Sequence, residues 1–277
     1  MHNRHTAWLA AVVTATVGFV AVPAAGQQAI NTTAATQPGK DQFVLRQQFR
    51  YWTADEDPNL DADRKQNYTS LTTLDYGLES DLALTLEFRN AHRRYTDRDT
   101  GRRESDFDVD DVTGLVKFRA WQDDFGPIDT ARFSVFGGAE YRPGNAPRDD
   151  GSSINPIIGA VYTHIEGRHG YNVAGQWKFH TGRGVGANDE GRYDLAYLYR
   201  LSPAEYADDT YASLYAVAEL NGRYETSGEN ELSVAPGLLY EARTWAAEAT
   251  VQIPVWQDLK HQPEPDYRVG VGLRLLF

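Results

Sequence analysis

Apolar and polar residues alternate along most of this chain, from Phe43 to its last residue, Phe277. In the segment 82–89, leucine or phenylalanine occupies every second position, and alanine, threonine, glutamate and arginine lie between them. This period of two is typical of β-strands that present one apolar and one polar face. Several segments follow the period clearly, and less regular ones near 68–78, 154–165, 211–224 and 231–241 bring the predicted total to about twelve strands.

The predicted strands and their connections favour a membrane barrel over a soluble β-sandwich. Each strand is about 10–14 residues long, the length at which a tilted strand crosses a bilayer. Longer polar connections alternate with mostly shorter ones, as in outer-membrane barrels with long external loops and tight periplasmic turns. The longer connections are predicted at 54–67, 96–109, 143–153, 181–191, 225–230 and 256–266, and the shorter ones at 79–81, 166–170 and 242–244.

The last predicted strand indicates the same fold. From Tyr267 to Phe277, apolar residues occupy every second position. A barrel uses such a strand because the last strand pairs with the first and removes both sheet edges. We therefore predict an all-β fold over residues 41–277, a transmembrane antiparallel up-and-down β-barrel of about 12 strands with both termini in the periplasm.

Residues 1–26 have the order of a cleavable signal peptide, with basic Arg4, an apolar stretch over 7–22 and small residues before the expected cleavage site. A membrane anchor is the alternative, but the apolar run is short for a span and no stop-transfer pattern follows it. Residues 27–40 are polar, and we predict that they form a flexible periplasmic leader. We expect the barrel in the cell outer membrane of a Gram-negative bacterium, with lipids and lipopolysaccharide as partners and the barrel-assembly machinery recognising the strand that ends at Phe277.

Composition excludes several other classes of protein. The chain has no cysteine, so it has neither disulfides nor thiol chemistry. Mean hydropathy is −0.54, and beyond the predicted signal peptide no apolar run approaches the length of a membrane-spanning helix. A net charge of −12 argues against nucleic acid as a partner. Several of the sixteen Tyr and six Trp lie near predicted strand ends, where aromatic girdles meet lipid headgroups.

The polar faces of the predicted strands carry more basic than acidic side chains, although the whole chain is acidic. This contrast predicts a basic lumen and acidic external loops, and rings of arginine and lysine favour anions. We therefore predict an outer-membrane channel or transporter for small solutes, anionic or organic, by passive or gated diffusion. A plugged structural barrel is a further alternative. The predicted pore-lining residues are Arg46, Arg50, Glu87, Arg89, Lys117, Arg119, Arg132, Glu140, Arg142, Lys178, Arg192, Asp194, Arg200, Glu219, Arg223, Glu248, Arg268 and Arg274.

A lipid hydrolase, either a phospholipase or a lipid A deacylase, is the enzymatic alternative. His180 is its best candidate base, since it lies at a strand end near Asp189 and Glu190. No serine-hydrolase signature accompanies this histidine, and we predict no catalytic residue, no cofactor and no enzymatic activity.

The acidic run from Asp55 to Asp63 spaces oxygen ligands at every second position, as a calcium loop does. However, Leu60 stands where an EF-hand requires glycine, and Gln66 stands where it requires the bidentate glutamate. We predict no metal site in this run and interpret it as solvated loop charge.

The C-terminal third of the chain resembles a known family. Residues 232–277 contain a strand with Ala-Pro-Gly-Leu at 235–238, a strand ending in Ile-Pro-Val-Trp at 253–256, and a closing Gly-Leu-Arg-x-x-Phe. These features resemble the outer-membrane barrel family named after meta-pathway phenol degradation. The resemblance implies a transporter or channel for small organic compounds, and it supplies no catalytic residues.

Overall fold

A computed structural model describes residues 28–58, 62–144, 151–182, 188–207 and 210–277. Twelve antiparallel strands each pair with the next, and β12 pairs with β1, so the prediction of a closed all-β barrel of 12 strands is confirmed. No helix in these ranges is long and apolar enough to cross a membrane. The strands are β1 (Phe43–Asp57), β2 (Ala62–Gly77), β3 (Leu82–Asp97), β4 (Arg103–Asp124), β5 (Thr130–Arg142), β6 (Ser153–Glu166), β7 (His169–Lys178), β8 (Glu190–Ser202), β9 (Ala212–Glu225), β10 (Asn230–Ala242), β11 (Trp245–Asp258) and β12 (Pro265–Leu276).

Alternation along each strand separates the outer surface of the wall from the lumen. On β3, the side chains of Leu84, Leu86 and Phe88 are exposed on the outside, whereas Thr85 and Glu87 between them point inward. The other strands repeat this arrangement, and their large apolar side chains form an exposed outer band. An apolar outer band around a polar interior is the pattern of barrels that cross a lipid bilayer.

The connections divide between two rims. Of the described residues, the terminal rim carries Phe43, Phe277 and 78–81, 125–129, 167–168, 203–207, 210–211 and 243–244; the distal rim carries 58, 98–102, 143–144, 151–152, 179–182, 188–189, 226–229 and 259–264.

The predicted alternation in connection length is therefore confirmed only in part. Most of the predicted loops 54–67 and 96–109 belong to strands that continue as two long hairpins, and β4 alone has 22 residues. The connection between Ser202 and Ala212 is long although it joins two strands at the terminal rim, where the predicted alternation has short turns.

The chain that precedes β1 lies inside the barrel. Residues 28–40, called the lumen segment below, pass through the interior, and Ile30, Ala35 and Thr36 are almost completely buried. The prediction of a flexible leader over 27–40 is wrong for this segment, because side chains of the barrel wall bind its backbone. The predicted signal peptide and residue 27 lie outside the described residues.

Candidate functional site

Glu219 binds the first part of the lumen segment. It lies on β9, where every second side chain points inward, and it is almost completely buried. Its carboxylate accepts hydrogen bonds from the backbone N–H groups of Ile30, Asn31 and Thr32 at 2.7–3.0 Å. The Thr32 hydroxyl donates a further bond to it at 2.7 Å. Hydrogen bonds to a charged acceptor are stronger than neutral ones, so this single carboxylate fixes the direction of three consecutive peptide units.

The opposite wall binds the second part of the segment. Lys117 of β4 donates from Nζ to two carbonyl oxygens of the segment, at 2.8 and 3.2 Å. Between them, the carbonyl of Ala35 accepts a bond from Ser134 Oγ at 3.1 Å, and its N–H donates to Thr163 Oγ1 at 2.8 Å. The backbone of the segment therefore finds donors and acceptors on the wall similar to those that a neighbouring strand would supply.

A third set of contacts involves a buried ion-pair cluster. Glu248 of β11 lies between Arg46 and Arg274, and its oxygens are 2.6 Å from a guanidinium nitrogen of each. Arg46 and Gln48 also donate to the carbonyl of Ile30, at 2.6 and 3.2 Å. Arg274 donates to the preceding carbonyl at 2.8 Å. The carboxylate thus holds two cations in place, and these cations bind the segment.

Small apolar side chains complete the contact between segment and wall. Ala29 and Ile30 pack in one cluster and Ala35 packs in another. Apart from Ile30 these side chains are alanines, so they bury little apolar surface. The wall residues of the first cluster are Ala196, Leu198, Tyr215, Val217, Leu239 and Ala246, and those of the second are Leu115, Phe136, Ile157, Val161 and Ala174.

The lumen segment enters and leaves at the same rim. Gln28 accepts a bond from Arg274 at the terminal end of β12, at 3.0 Å. At the other end of the segment, Lys40 pairs with Glu79 at 2.8 Å in the connection between β2 and β3. The part that contacts Glu219 reaches the middle of β9. The segment is therefore a loop inserted from the terminal rim, and it lies in the terminal half of the lumen.

The distal half of the lumen, called the distal vestibule below, is lined by paired charges. Lys178 Nζ is 3.2 Å from Glu140 and 3.7 Å from Glu190. Arg192 donates to Glu190 at 2.6 Å, and further round the wall Arg268 donates to a carboxylate of β10 at 2.8 Å. Such networks link strands that are not hydrogen-bonded neighbours, and each of these four basic and acidic groups around Lys178 and Arg192 has a partner of opposite sign.

The structure brings most of the predicted pore-lining residues to the lumen, in three groups. Whether they line a path for solutes stays a prediction. Those around the lumen segment are Arg46, Lys117, Glu219, Glu248 and Arg274; those of the distal vestibule or its rim are Arg50, Glu87, Arg89, Glu140, Arg142, Lys178, Arg192, Asp194, Arg223 and Arg268; and those near the terminal rim are Arg119, Arg132 and Arg200.

The lumen is less basic than predicted. Asp111, Glu190, Glu225 and Glu231 also lie on the inner face, and each forms an ion pair or hydrogen bond with an inward basic side chain. These carboxylates were missed because they stand where the predicted strands begin or end. The sequence nevertheless indicated their position, since each carboxylate lies two positions from a residue that the alternation assigns to the inner face. The charges of the lumen therefore no longer indicate that the channel prefers anions.

His180 lies inside the distal rim rather than on the lipid-facing surface. Its backbone N–H donates to Asp189 at 2.8 Å, and its ring lies near Arg142 and Lys178. Burial, and then these two cations, lower the pKa of His180 below its usual range, so the ring is neutral near pH 7. A surface lipid hydrolase requires its base to face the membrane, so the position of His180 argues against that alternative.

The described ranges contain no group of three or more His, Asp or Glu side chains arranged to hold a metal ion. In the acidic run considered as a calcium loop, Asp57 forms an ion pair with Lys65, and residues 59–61 lie outside the described residues.

Comparison with known proteins supports the fold. An outer-membrane channel from Pseudomonas putida F1 matches with a TM-score of 0.54 at 11% identity, over 87% of this chain and 97% of that one. The translocator domain of the autotransporter NalP from Neisseria meningitidis matches with a TM-score of 0.45 at 12% identity, over 87% and 90%. No family model and no curated protein matches the chain. The chain is an all-β closed barrel that matches outer-membrane barrels, and its resemblance to the phenol-degradation family stays a prediction.

Proposed function

We propose that this protein is an outer-membrane channel for small solutes, which the lumen segment closes and which opens when that segment withdraws. The observation that carries the proposal is the way the segment is held. Wall side chains bind its backbone through hydrogen bonds, and only a few small apolar side chains are buried with it. Water can replace contacts of this kind, so the bound and withdrawn states can be close in free energy.

Withdrawal is compatible with the rest of the barrel. The wall closes through its own strand pairing, and β12 pairs with β1 without help from the segment. Both ends of the segment lie at the terminal rim, so it can leave towards that side without passing through the wall. Its small side chains leave the lumen without rearrangement of the vestibule.

The solutes we propose are small polar or organic molecules, with weak selectivity for charge. The paired charges of the distal vestibule favour neither sign strongly, which revises the anion preference expected from the sequence. We place the protein in the outer membrane with both termini in the periplasm, in contact with lipid and lipopolysaccharide. In this orientation the segment withdraws towards the periplasm.

Conductance in planar bilayers tests the proposal. The chain has no cysteine, so a Thr32→Cys/Asn221→Cys pair can be joined by a short bifunctional maleimide, since Asn221 Nδ2 and Thr32 Oγ1 approach to 3.4 Å in the parent chain. We expect little current from the crosslinked pair, intermittent current from the pair before crosslinking, and steady current from a chain that lacks residues 28–38. Heat-modifiable gel migration verifies that each variant is folded.

A plugged structural barrel is the second candidate, because the segment lies inside the lumen and is bound by both sides of the wall. It predicts that the folded deletion variant and the pair before crosslinking carry no more current than the crosslinked pair. That result would refute the proposed channel.

A further inference from the structure

Most charged side chains of the distal vestibule are paired, but three are not. Ten of the predicted pore-lining residues lie in the vestibule or at its rim, and seven of them form ion pairs. The other three, Arg50, Glu87 and Asp194, form no ion pair with any residue that the structure describes. Their side chains are half-buried, whereas the paired carboxylates of Glu140 and Glu190 are buried. A solute that enters from the distal rim can therefore reach the unpaired charges.

Arg50 and Asp194 lie on opposite sides of the lumen. Arg50 is on β1 and Asp194 is on β8, which is the fifth strand from β1 in one direction around the barrel and the seventh in the other. They are too far apart to form an ion pair, although the charge of Arg50 acts on Asp194. A gap across the lumen therefore separates a guanidinium group from a carboxylate.

The lumen segment forms the floor of this gap. Arg50 donates to Gln48 Oε1 at 3.3 Å, and Gln48 Nε2 donates to a carbonyl of the segment at 3.2 Å. On the other side, Asn221 Nδ2 donates to Asp194 at 2.8 Å and approaches a hydroxyl of the segment at 3.4 Å. One amide side chain thus links each charged group to the segment. The gap is located where the distal vestibule ends, directly beside the proposed gate.

Neighbouring charges are already bound by other groups. Glu219 and Glu248 act on Arg50, but Glu219 binds the lumen segment and Glu248 lies between two other arginines. Arg192 acts on Asp194, but it donates to a different carboxylate at 2.6 Å. A simple anion beside Arg50 would be repelled by these carboxylates, and a simple cation beside Asp194 would be repelled by Arg192. A solute that carries both charges can pair with both groups without adding net charge.

We propose that Arg50 and Asp194 bind zwitterionic solutes, which carry one carboxylate and one ammonium group. The solute carboxylate accepts two parallel N–H bonds from the guanidinium of Arg50, and the ammonium group donates to the carboxylate of Asp194. The inference narrows the solute class of the proposed channel, and it rests on that function for the passage of these solutes. Binding itself requires only the distal vestibule, so the site can be tested while the segment stays bound.

Saturation-transfer NMR on the full chain in lipid nanodiscs tests the site, with the signal from empty nanodiscs subtracted. Three probes of similar size separate the two charges. The probe γ-aminobutyrate carries both, butyrate carries only the carboxylate, and butylamine carries only the ammonium group. We expect butyrate and butylamine to bind at least about tenfold more weakly than γ-aminobutyrate, since each lacks one charge-assisted contact. Equal binding of the three probes, or no binding of γ-aminobutyrate, would overturn the proposal.

Substitutions at the two charged groups should change the preference in different ways. Arg50→Gln should bind γ-aminobutyrate no better than butylamine, because the carboxylate of the solute has lost its partner. Asp194→Asn should bind it no better than butyrate. A variant in which γ-aminobutyrate keeps its advantage would show that the substituted side chain does not bind the solute. Heat-modifiable gel migration verifies that each variant is folded.

Glu87→Gln is the matched control. Glu87 is also an unpaired, half-buried carboxylate of the distal vestibule, but the cations that act most on it are Arg89 and Arg192 rather than Arg50. Its replacement should leave the binding of γ-aminobutyrate unchanged. If Glu87→Gln weakens binding as much as Asp194→Asn does, the effect comes from the overall charge of the vestibule, and the proposed site is wrong.

Conductance separates this inference from the proposed channel. In the chain that lacks residues 28–38, γ-aminobutyrate added on the distal side should reduce the steady current in proportion to its occupancy, and Arg50→Gln should abolish this reduction. If that chain carries no current while γ-aminobutyrate still binds, the channel is wrong and the binding site stands. If it carries a current that γ-aminobutyrate does not change, and NMR detects no binding, the site is wrong and the channel stands.

Discussion

Replacement of Glu219 by alanine should release the lumen segment from the wall. The carboxylate accepts three backbone N–H groups and one hydroxyl at 2.7–3.0 Å, and the side-chain amide of Asn31 at 3.3 Å, in a nearly closed environment. A buried donor that loses its acceptor costs about 1–3 kcal/mol. For three N–H groups the sum is roughly 3–9 kcal/mol, and water entering from the distal vestibule reduces it towards the lower value. A loss of about 3 kcal/mol raises the ratio of withdrawn to bound segment roughly a hundredfold.

Cysteine labelling measures this ratio. Ala35 is completely buried in the bound segment, and Ala35→Cys would be the only thiol in the chain. If the thiol reacts with a maleimide only after withdrawal, the labelling rate follows the withdrawn fraction. We expect the rate to rise roughly a hundredfold in Glu219→Ala. Glu219→Gln keeps one acceptor oxygen and should give an intermediate rate.

Glu140→Gln is the matched control. Glu140 is another buried carboxylate of the lumen, but it contacts Lys178 and Asn155 in the distal vestibule. Its loss should perturb the barrel to a similar degree without changing the labelling rate at position 35. Folded Glu219→Ala that labels as slowly as the parent would show that this carboxylate does not hold the segment, and the energetic argument above would be wrong.

Three further substitutions probe the segment, the ion-pair cluster and the outer surface. Lys117→Met leaves two carbonyl groups of the lumen segment without a donor, which should destabilise the bound segment by roughly 1–3 kcal/mol. The Ala35→Cys labelling rate should therefore rise about tenfold. Glu248→Leu leaves the guanidinium groups of Arg46 and Arg274 without their shared anion. The free energy of unfolding in urea should therefore fall by about 3–5 kcal/mol. An unchanged free energy of unfolding would argue against these ion pairs. Leu195→Arg places a charge on the outer apolar band near the middle of β8. The free energy of unfolding measured in lipid should fall by about 2–4 kcal/mol, and it should fall by less when the protein is not in a membrane.

The strands could be predicted because alternation is a local property. Within a few residues, each strand shows which side chains face inward and which face outward. The number of strands and the closed barrel could therefore be predicted from the sequence. The long hairpins of β1–β4 were missed because their distal parts are rich in charge, which suggests loops. Alternation nevertheless continues there, since Phe107 and Val109 face outward while Asp108 and Asp110 pair with Arg93 on the inner side.

The lumen segment and the balance of charge depend on distant contacts, which local patterns do not contain. Thr32 and Glu219 are 187 positions apart, and only the closed barrel brings them together. Likewise, the ion pairs of the distal vestibule form between strands whose register is set by the whole sheet. Single-strand patterns can place a charge on the inner face, but they cannot assign its partner.

The composition of the lumen segment also has a physical explanation. A polar run of alanine, threonine, asparagine and glutamine buries too little apolar surface to fold against an apolar core, so it normally indicates disorder. Inside a membrane barrel the core is polar, because the apolar side chains face the lipid. A segment can be ordered there by hydrogen bonds from residues such as Glu219 and Lys117, and the same bonds can be exchanged for water. Reversible order of this kind is the property that the proposed gate in the lumen requires.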